Sequence, residues 1–364
     1  MRNRIIIAGG GTGGHIFPAI AIANALKKIE PAIEILFVGA KGKMEMEKVP
    51  QAGFKIQGID IAGFNRSSLI KNIGLPFKLL ISFFQVRKIV RIFEPDAVIG
   101  VGGYSSFPVL RYAQAKSIPT FIHESNSFAG KSNILLGNKA VKIFTASDGM
   151  ERFFPAEKIM NTGNPVRDSI VGNAISRAEG IQFFGLNPDK KTVLSTGGSL
   201  GAKSINEAVD FHIAEFEKND LQLIWQTGKV YSEKAIRDAT GRKNIWTNDF
   251  ITQMEYAFAA ADMVISRSGA MSIAELCVVK KPVVFVPFPF AAEDHQTMNA
   301  QSLVNKNAAI LINDNDAKEK LVSTIIALAK DERKQNELKE NIGKLAVTDA
   351  DERIAKEILK SIAK

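Results

Sequence analysis

Three glycine-rich segments of the chain carry residue types that can hold phosphate groups. We name them loop A, Gly9-Gly10-Gly11-Thr12-Gly13-Gly14-His15; loop B, Gly100-Val101-Gly102-Gly103-Tyr104-Ser105-Ser106; and loop C, Thr196-Gly197-Gly198-Ser199-Leu200-Gly201-Ala202. Each follows a short apolar run that is typical of a buried strand. Glycines allow backbone N–H groups to approach an anion, and a helix that begins after the loop adds partial positive charge. Three such loops indicate two phosphorylated substrates, because one nucleotide does not need them all.

Loop A formally matches the G-x-G-x-x-G pattern of dinucleotide-binding proteins through Gly9, Gly11 and Gly14. In those proteins the second strand ends in an acidic residue that binds a ribose, but Phe37-Val38-Gly39-Ala40 offers none. The lysine of a Walker A loop is also missing. A tight turn in any doubly wound fold explains one such loop more simply than it explains three. An oxidoreductase is therefore disfavoured.

Short apolar runs rich in β-branched residues alternate with helical stretches, and the series restarts near residue 190. The runs span residues 4–8, 33–38, 96–100, 192–195, 221–226, 263–266 and 283–286. This alternation predicts an α/β chain with two doubly wound parallel sheets covered by helices. The best linker is Asn161-Thr162-Gly163-Asn164-Pro165. We expect one domain over residues 1–163 and a second over residues 164–344.

The composition of the 364 residues, 46% apolar and 23% charged, is that of a globular protein. The single cysteine, Cys277, excludes an intrachain disulfide and favours a reducing compartment. The apolar run before loop A is too short for a signal peptide, and 18 apolar residues never occur together. These features predict a soluble cytoplasmic chain.

The excess of positive over negative charge is confined to the first part of the sequence. Residues 1–164 hold 21 basic and 11 acidic side chains, whereas residues 165–364 hold 26 and 27. We therefore expect the first domain to face an anionic partner. A nucleic acid is disfavoured, because neither an RNA-binding nor a helix-turn-helix motif is present.

The segment from Ile61 to Phe93 is basic and apolar at once, and it holds no acidic residue. A helix is expected over residues 76–93, with a polar stripe of Lys78, Ser82, Gln85, Lys88 and Arg91. Such a helix can lie in an anionic membrane interface, or it can pack on its sheet as a crossover helix, and the two roles are compatible. The residues assigned to the membrane are Lys71, Phe77, Lys78, Leu80, Ile81, Phe84 and Lys88.

Several segments occur in a distinctive order between residue 5 and about residue 310. They are residues 9–19, Gly102-Gly103-Tyr104-Ser105-Ser106-Phe107-Pro108, His123-Glu124-Ser125-Asn126, Gly163-Asn164-Pro165-Val166-Arg167, residues 197–202 and Ser266-Arg267-Ser268-Gly269-Ala270. Together they resemble the MurG family of bacterial glycosyltransferases, although Ser125 stands where that family usually has glutamine.

The resemblance implies the GT-B fold, with two Rossmann-like domains facing a central cleft and a C-terminal helix, at about residues 345–364, packed on the first domain. It implies an inverting transferase without cofactor or metal. The enzyme would move N-acetylglucosamine from UDP-N-acetylglucosamine to the 4-hydroxyl of N-acetylmuramic acid in undecaprenyl-diphosphate-linked muramyl-pentapeptide, a peptidoglycan precursor. It further implies a peripheral protein on the cytoplasmic face of the plasma membrane, with partners among cell-wall synthesis proteins.

The same resemblance implies the site residues. The donor contacts would be Thr12, Gly13, Gly14, Asn126, Arg167, Ser199, Ile251, Ala270, Met271, Ser272, Ile273, Ala274, Glu275 and Gln296. The acceptor diphosphate would meet Gly102, Gly103, Tyr104 and Ser105. Ser199, expected at a helix start, can bind phosphate by its hydroxyl and backbone N–H, and Arg167 can bind the diphosphate or the sugar.

Two residues are candidates for the catalytic base. An imidazole titrates near neutral pH, which favours His15, and Glu124 is the rival because it belongs to a neighbouring motif. His15 has an alternative role as a helix cap or phosphate ligand. Asp314-Asn315-Asp316 spells the D-x-D metal motif of another transferase class, but we expect it to cap the following helix.

Other functions stay open at this point. Another GT-B enzyme, such as a glycolipid glycosyltransferase or a UDP-N-acetylglucosamine 2-epimerase, would share the loops, but an epimerase would leave the basic apolar segment without a purpose. A non-catalytic membrane-binding module is disfavoured by the second domain, which carries a phosphate loop of its own.

Overall fold

The chain forms two units, each built around its own parallel sheet. The computed structural model describes residues 3–63, 74–291 and 294–363. Unit 1 comprises Met1–Arg167 and Asp349–Lys364, and unit 2 is Asp168–Thr348. The boundaries expected from the sequence lay four residues earlier in both places. The predicted α/β class with two doubly wound sheets is confirmed.

Unit 1 contains seven of the strands. Along the chain it has β1 (Arg4–Ala8), α1 (Gly13–Ile29), β2 (Glu34–Ala40), α2 (Glu45–Gln51), β3 (Lys55–Ile59), α3 (Leu75–Phe93), β4 (Ala97–Gly100), α4 (Ser106–Ala115), β5 (Thr120–Glu124), α5 (Lys131–Gly137), β6 (Lys142–Thr145) and β7 (Ile159–Asn161). The strands are parallel, in the order β3-β2-β1-β4-β5-β6-β7. The central strands are continuously apolar because helices cover both faces of the sheet.

Unit 2 repeats the plan with six strands. It has α6 (Asp168–Val171), α7 (Arg177–Phe183), β8 (Lys191–Thr196), α8 (Lys203–Phe211), α9 (Ile213–Lys218), β9 (Leu221–Gln226), α10 (Ser232–Ala239), β10 (Ile245–Asn248), α11 (Met254–Ala260), β11 (Met263–Ser266), α12 (Ala270–Val279), β12 (Val283–Phe285), α13 (His295–Val304), β13 (Ile310–Leu311), α14 (Ala317–Lys330) and α15 (Glu332–Gly343). The sheet order is β10-β9-β8-β11-β12-β13.

The last helix, α16 (Ala350–Ile362), returns to unit 1 and packs against α1. Its residues Ile354, Ile358 and Ile362 recur every four positions, so they share one helix face, and all three are buried in the core of unit 1. Arg353 donates to the backbone oxygen of Asn161 at 2.9 Å. Helix α16 is therefore part of the core of unit 1.

Helix α3 begins one residue before its expected start and is amphipathic in an unexpected way. Its second half is buried through Val86, Ile89 and Val90. Two residues of the expected polar stripe belong to the packed side, because Ser82 is buried and Gln85 donates to the Asp60 carboxylate. The prediction that Ser82 and Gln85 belong to an exposed polar stripe is therefore wrong, because both lie on the side of the helix that packs against the rest of unit 1.

The apolar residues of the first half of α3 project outward instead. The exposed fractions are 70% for Phe77, 56% for Leu80, 48% for Ile81 and 63% for Phe84. Lys78 and Lys88 are exposed on the same helix, and Lys71 lies outside the described residues. Within the described part of the chain, none of the helices has both the length and the apolar content needed to cross a bilayer.

Candidate active site

Each sheet reverses its strand order at one point, and the glycine-rich loops lie there. In unit 1, Ala8 of β1 is in register with Gly100 of β4, so loops A and B leave the sheet side by side. In unit 2, Thr196 of β8 is in register with Ser266 of β11, and loop C begins there. Ligands of open parallel sheets bind beyond the strand ends at such switch points. Each unit therefore has one candidate binding site.

Loops A and B contact each other through their backbones. The Gly10 N–H donates to the Gly102 oxygen at 3.3 Å. Gly103 has a φ of +84°, and a Cβ built there would lie 2.3 Å from the Gly10 oxygen. Glycine is required at position 103 both by its backbone conformation and by this close approach. The two loops form one continuous surface.

His15 lies in the first turn of α1, against both loops. Its Nδ1 is 3.2 Å from the Gly10 oxygen and 3.4 Å from Thr12 Oγ1. A Cβ at Gly102 would lie 2.7 Å from His15 Nε2, so the ring fills the space that this glycine leaves. Burial lowers the pKa of His15 below 6.5, and the nearby Glu124 and Glu45 carboxylates oppose that shift. The imidazole is mostly neutral at pH 7 and able to accept a proton.

Glu124, at the end of β5, is buried and bound by the chain that follows it. It accepts hydrogen bonds from the Asn126 N–H at 3.1 Å, the Gly130 N–H at 3.0 Å and the Asn133 amide at 2.8 Å. A fourth, from the Asn126 side-chain amide, measures 3.3 Å. These donors use most of the acceptor positions of a carboxylate. The geometry suits a residue that holds the loop carrying Asn126.

Glu45, in the first turn of α2, is a site residue that no motif in the sequence indicated. It is only 1% exposed and accepts from the Gly11 N–H at 2.8 Å and the Ala40 N–H at 2.9 Å. A Cβ at Gly10 or Gly39 would lie 2.3 or 2.5 Å from atoms of Glu45, so both glycines make room for it. Strand β2 ends at Ala40 without the acidic residue of dinucleotide-binding proteins, and Glu45 follows five positions later. Its negative charge disfavours a dinucleotide phosphate at loop A.

Loop B offers one accessible side chain. Tyr104 is 55% exposed, whereas Ser105 is 1% exposed and its hydroxyl is buried. Ser106 donates to the Gly103 oxygen at 3.0 Å and so closes the loop on itself. Of the residues expected to meet a diphosphate here, Tyr104 presents its side chain and Ser105 does not.

Loop C does not place Ser199 at a helix start, and that expectation is wrong. Helix α8 begins at Lys203, with Ala202 at its N-cap. Gly201 has a φ of +76°, and a Cβ there would lie 1.9 Å from the Thr227 oxygen. This packing keeps the chain out of the helix until Lys203. Ser199 therefore lies in the turn of the loop, half-buried.

Gln226, buried at the end of β9, joins loop C to Ile251. Its Nε2 donates to the Gly198 oxygen at 3.0 Å, and its Oε1 accepts from the Ile251 N–H at 3.0 Å. The Ile251 N–H is therefore engaged inside unit 2. Nothing in the local sequence indicates this role of Gln226.

Helices α12 and α13 carry the other residues expected to bind the donor. Ala270, Met271, Ser272, Ile273, Ala274 and Glu275 form the first turns of α12, and all but Met271 are half-buried. Gln296, near the start of α13, accepts from the Phe288 N–H at 3.0 Å through Oε1, and its backbone oxygen accepts from Ser268 at 2.8 Å. The start of α13 is thereby tied to the loops after β11 and β12.

Comparisons with known proteins agree on one family. Residues 5–145 match the glycosyltransferase family 28 N-terminal domain, and residues 192–354 match the family 28 C-terminal domain. The UDP-N-acetylglucosamine–N-acetylmuramyl-(pentapeptide) pyrophosphoryl-undecaprenol N-acetylglucosamine transferase of Phocaeicola vulgatus is 51% identical, over 98% of this chain and 96% of its own. The crystal structure of Acinetobacter baumannii MurG, 27% identical, superposes with a TM-score of 0.76 over 98% of this chain and 99% of that one. The chain belongs to the MurG family.

MurG family membership confirms the resemblance, the GT-B fold and the expectation of a UDP-N-acetylglucosamine-dependent glycosyltransferase. The fold alone would not decide between the alternatives. A 2.2 Å crystal structure of a UDP-N-acetylglucosamine 2-epimerase homologue from Listeria monocytogenes, only 15% identical, also superposes with a TM-score of 0.74, over 99% of this chain and 97% of that one. The MurG assignment therefore depends on sequence identity rather than on architecture.

In this MurG family member the D-x-D segment reaches the N-cap position of α14, as expected, but Asp316 makes no side-chain capping hydrogen bond there to any described residue. Asp314 instead forms an ion pair with Arg267 at 2.5 Å. Across residues 3–63, 74–291 and 294–363, no group of three or more His, Cys, Asp or Glu side chains is placed to hold a metal ion.

Arg167 ends unit 1 of this MurG family member, whereas the sequence placed it inside the second domain. Its guanidinium lies 4.6 Å from the ring centroid of Phe17, a residue of α1. A guanidinium over an aromatic face is held by cation–π attraction. Arg167 is therefore positioned by the same helix that carries His15.

Proposed function

We propose that the chain transfers N-acetylglucosamine from UDP-N-acetylglucosamine to the 4-hydroxyl of N-acetylmuramic acid in undecaprenyl-diphosphate-linked muramyl-pentapeptide, with inversion at the anomeric carbon. The observation that carries this proposal is the His15 imidazole held between the Gly10 oxygen and Gly102 at the switch point of unit 1. The 51% sequence identity, over 98% of this chain, to a relative named for this reaction supports the proposal.

Unit 2 supplies the main donor contacts in this proposal. The Ile251 carbonyl meets the uracil, Glu275 accepts a ribose hydroxyl, and Ser199 with the N–H groups of loop C binds the diphosphate. Gln226 supports this set because it bonds both loop C and Ile251. Gln296 binds sugar hydroxyls, and the further donor contacts proposed on unit 1 are Thr12, Gly13, Gly14, Asn126 and Arg167.

His15 is the general base of the proposed reaction. With Nδ1–H directed to the Gly10 oxygen, Nε2 holds the lone pair that accepts the proton of the acceptor hydroxyl. That oxygen bonds to the anomeric carbon while the bond from this carbon to the UDP oxygen breaks, and UDP leaves with the electron pair. Ser199 and the loop N–H groups stabilise the departing diphosphate without a proton transfer.

Glu124 is assigned a positioning role rather than that of the base. Its four hydrogen bonds come from the residues that follow it, so protonating it would weaken the loop that carries Asn126. A base that must take a proton in each turnover needs an unused lone pair, and the hydrogen bonds of the His15 ring to described residues all involve Nδ1 and leave Nε2 without one.

The acceptor is assigned to unit 1, with Tyr104 of loop B next to its diphosphate. The exposed apolar residues of α3, flanked by Lys78 and Lys88, contact the anionic membrane in which the polyprenyl chain is held. With this orientation the proposal includes a peripheral location on the cytoplasmic face of the plasma membrane.

The test is transfer of labelled N-acetylglucosamine to a short-chain analogue of the lipid-linked acceptor. His15→Gln should lower kcat by about 10²- to 10⁴-fold and leave UDP affinity unchanged, because it removes only the base. His212→Gln, at the surface of unit 2, is the matched control and should keep full activity. Binding of UDP-N-acetylglucosamine by the wild type without transfer, but with epimerised product, would replace this function by that of an epimerase.

A further inference from the structure

The peptide group between Gly10 and Gly11 is bound at both of its polar atoms. Its N–H donates to Glu45 Oε2 at 2.8 Å, and its carbonyl oxygen lies 3.2 Å from His15 Nδ1. One peptide plane therefore connects a buried carboxylate to the imidazole. Glu45 and His15 do not touch, yet they are joined by two consecutive hydrogen bonds.

We propose that Glu45 is the positioning residue of His15, acting through this peptide to fix the Nδ1–H tautomer and to stabilise the imidazolium that forms during proton transfer. The proposal deepens the function given above and rests on it only for the role of His15 as base. A carboxylate that accepts the peptide N–H polarises the peptide and makes its carbonyl oxygen a stronger acceptor. The stronger acceptor holds the proton on Nδ1 and keeps Nε2 unprotonated.

The protein is built to keep a carboxylate at this position. Glu45 is 1% exposed, and burying a charged group costs free energy unless its hydrogen bonds are made. Both oxygens are bound, since Oε1 also accepts from the Ala40 N–H at 2.9 Å. Glycine at positions 10 and 39 leaves the space that the side chain fills. A neutral glutamine would fit the same space, so shape alone does not explain the acid.

Three titratable groups face His15 from the elements around it. They are Glu124 and His123 of β5 and Glu45 of α2. Both carboxylates raise the pKa of His15 against the lowering effect of burial, and His15 in turn lowers the pKa of His123. Glu124 accepts its hydrogen bonds from residues between 126 and 133. Glu45 instead accepts from the N–H of the peptide whose carbonyl oxygen contacts His15. The continuous path therefore starts at Glu45.

The first measurement uses the unaltered chain labelled with ¹⁵N-histidine. The ring nitrogens of His15, assigned with a His15→Gln variant, should show a protonated Nδ1 and an unprotonated Nε2 in the neutral state. A predominant Nε2–H tautomer would overturn the proposal. This result depends on neither transfer activity nor the folding of a Glu45 variant, so it separates this proposal from the proposed function.

The second measurement compares Glu45→Gln with Glu47→Gln, a control on the same helix whose exposed carboxylate pairs with Lys48. Losing the Glu45 charge should lower the pKa of His15 and mix its tautomers. It should also move the acidic limb of the kcat–pH profile to lower pH and reduce kcat about tenfold or more. UDP affinity and all properties of Glu47→Gln should stay unchanged. A folded Glu45→Gln variant with the wild-type tautomer and kcat profile would show that Glu45 only shapes loop A.

Discussion

The guanidinium of Arg267 pairs with the carboxylate of Asp314 at 2.5 Å inside unit 2. The same guanidinium donates to the oxygens of Val286 at 2.8 Å and Pro287 at 2.9 Å. Ser204, in the first turn of α8, also bonds the Asp314 carboxylate. One ion pair, with Arg267 buried and Asp314 partly exposed, thus joins the ends of β11 and β12 to α8 beside the proposed donor site.

Removing Asp314 should therefore cost far more than removing a surface carboxylate. Asp314→Ala leaves the buried Arg267 charge without its partner, which should lower the free energy of unfolding by about 3–5 kcal/mol. Asp316→Ala breaks only the exposed pair with Lys320 and should change it by about 0.5 kcal/mol or less. Urea unfolding of both variants measures the difference. Equal losses of unfolding free energy in the two variants would show that the Arg267–Asp314 pair stabilises the fold no more than the exposed pair does.

A methyl group at Gly103 should destabilise unit 1 more than one at Gly149. Both glycines have positive φ, so alanine is strained at either position by about 1–2 kcal/mol. A Cβ at Gly149 meets no described atom within 4 Å, whereas one at Gly103 would strike the Gly10 oxygen. We expect an additional cost of about 1–3 kcal/mol and impaired transfer for Gly103→Ala alone. Thermal unfolding and the transfer assay report the two effects, and indistinguishable variants would refute the close contact.

Unit 1 should lose stability as the pH falls below neutrality. Burial, followed by the nearby His15, lowers the pKa of His123 from 6.5 to about 4. A histidine whose folded pKa lies below the unfolded value is held neutral in the fold, so its unfolded form takes up protons first as the pH decreases. The free energy of unfolding should fall by about 3 kcal/mol between pH 6.5 and pH 4 through His123.

Urea unfolding across this pH range tests that dependence. His123→Gln should flatten the curve between pH 6.5 and pH 4, and the His212→Gln control should leave it as in the wild type. A wild-type curve that is already flat would mean that His123 binds its proton inside the fold.

Exposed phenylalanines of α3 should govern attachment to anionic vesicles. Phe77→Ser and Phe84→Ser each remove an aromatic ring that is 70% or 63% exposed, and each should weaken binding about tenfold or more. Phe211→Ser removes a ring that is 65% exposed on unit 2 and should leave binding unchanged. Cosedimentation with phosphatidylglycerol vesicles measures the affinity. A similar loss in all three variants would point to general hydrophobicity rather than to α3.

The centre of each sheet could be predicted from the sequence, but its margins could not. The apolar runs at residues 4–8, 96–100, 192–195 and 263–266 became β1, β4, β8 and β11 because strands buried on both faces need unbroken apolar residues. Strands β7 and β13, with three and two residues, lie at sheet edges and are too short to show a pattern. Strand β5 was missed because it ends in the polar pair His123 and Glu124.

Site residues were predictable where backbone geometry demanded glycine, and not where a distant side chain completed the geometry. Loops A, B and C were visible in the sequence, and the structure brings A and B together. Glu45, Gln226 and the Arg267–Asp314 pair reach their loops from other elements, so local sequence does not reveal them. Gly10 and Gly39, which leave room for the Glu45 side chain, were the only feature of the sequence that pointed to it.

Helix α16 has a consequence for the order in which the protein can be completed during synthesis. The core that contains Ile22 and Leu26 of α1 also requires the isoleucines of α16. All of unit 2, Asp168–Thr348, is translated between these two helices. Unit 2 is continuous in sequence, so its own residues are all available before α16 leaves the ribosome. The unit that is begun first on the ribosome is thus the last whose core can be completed.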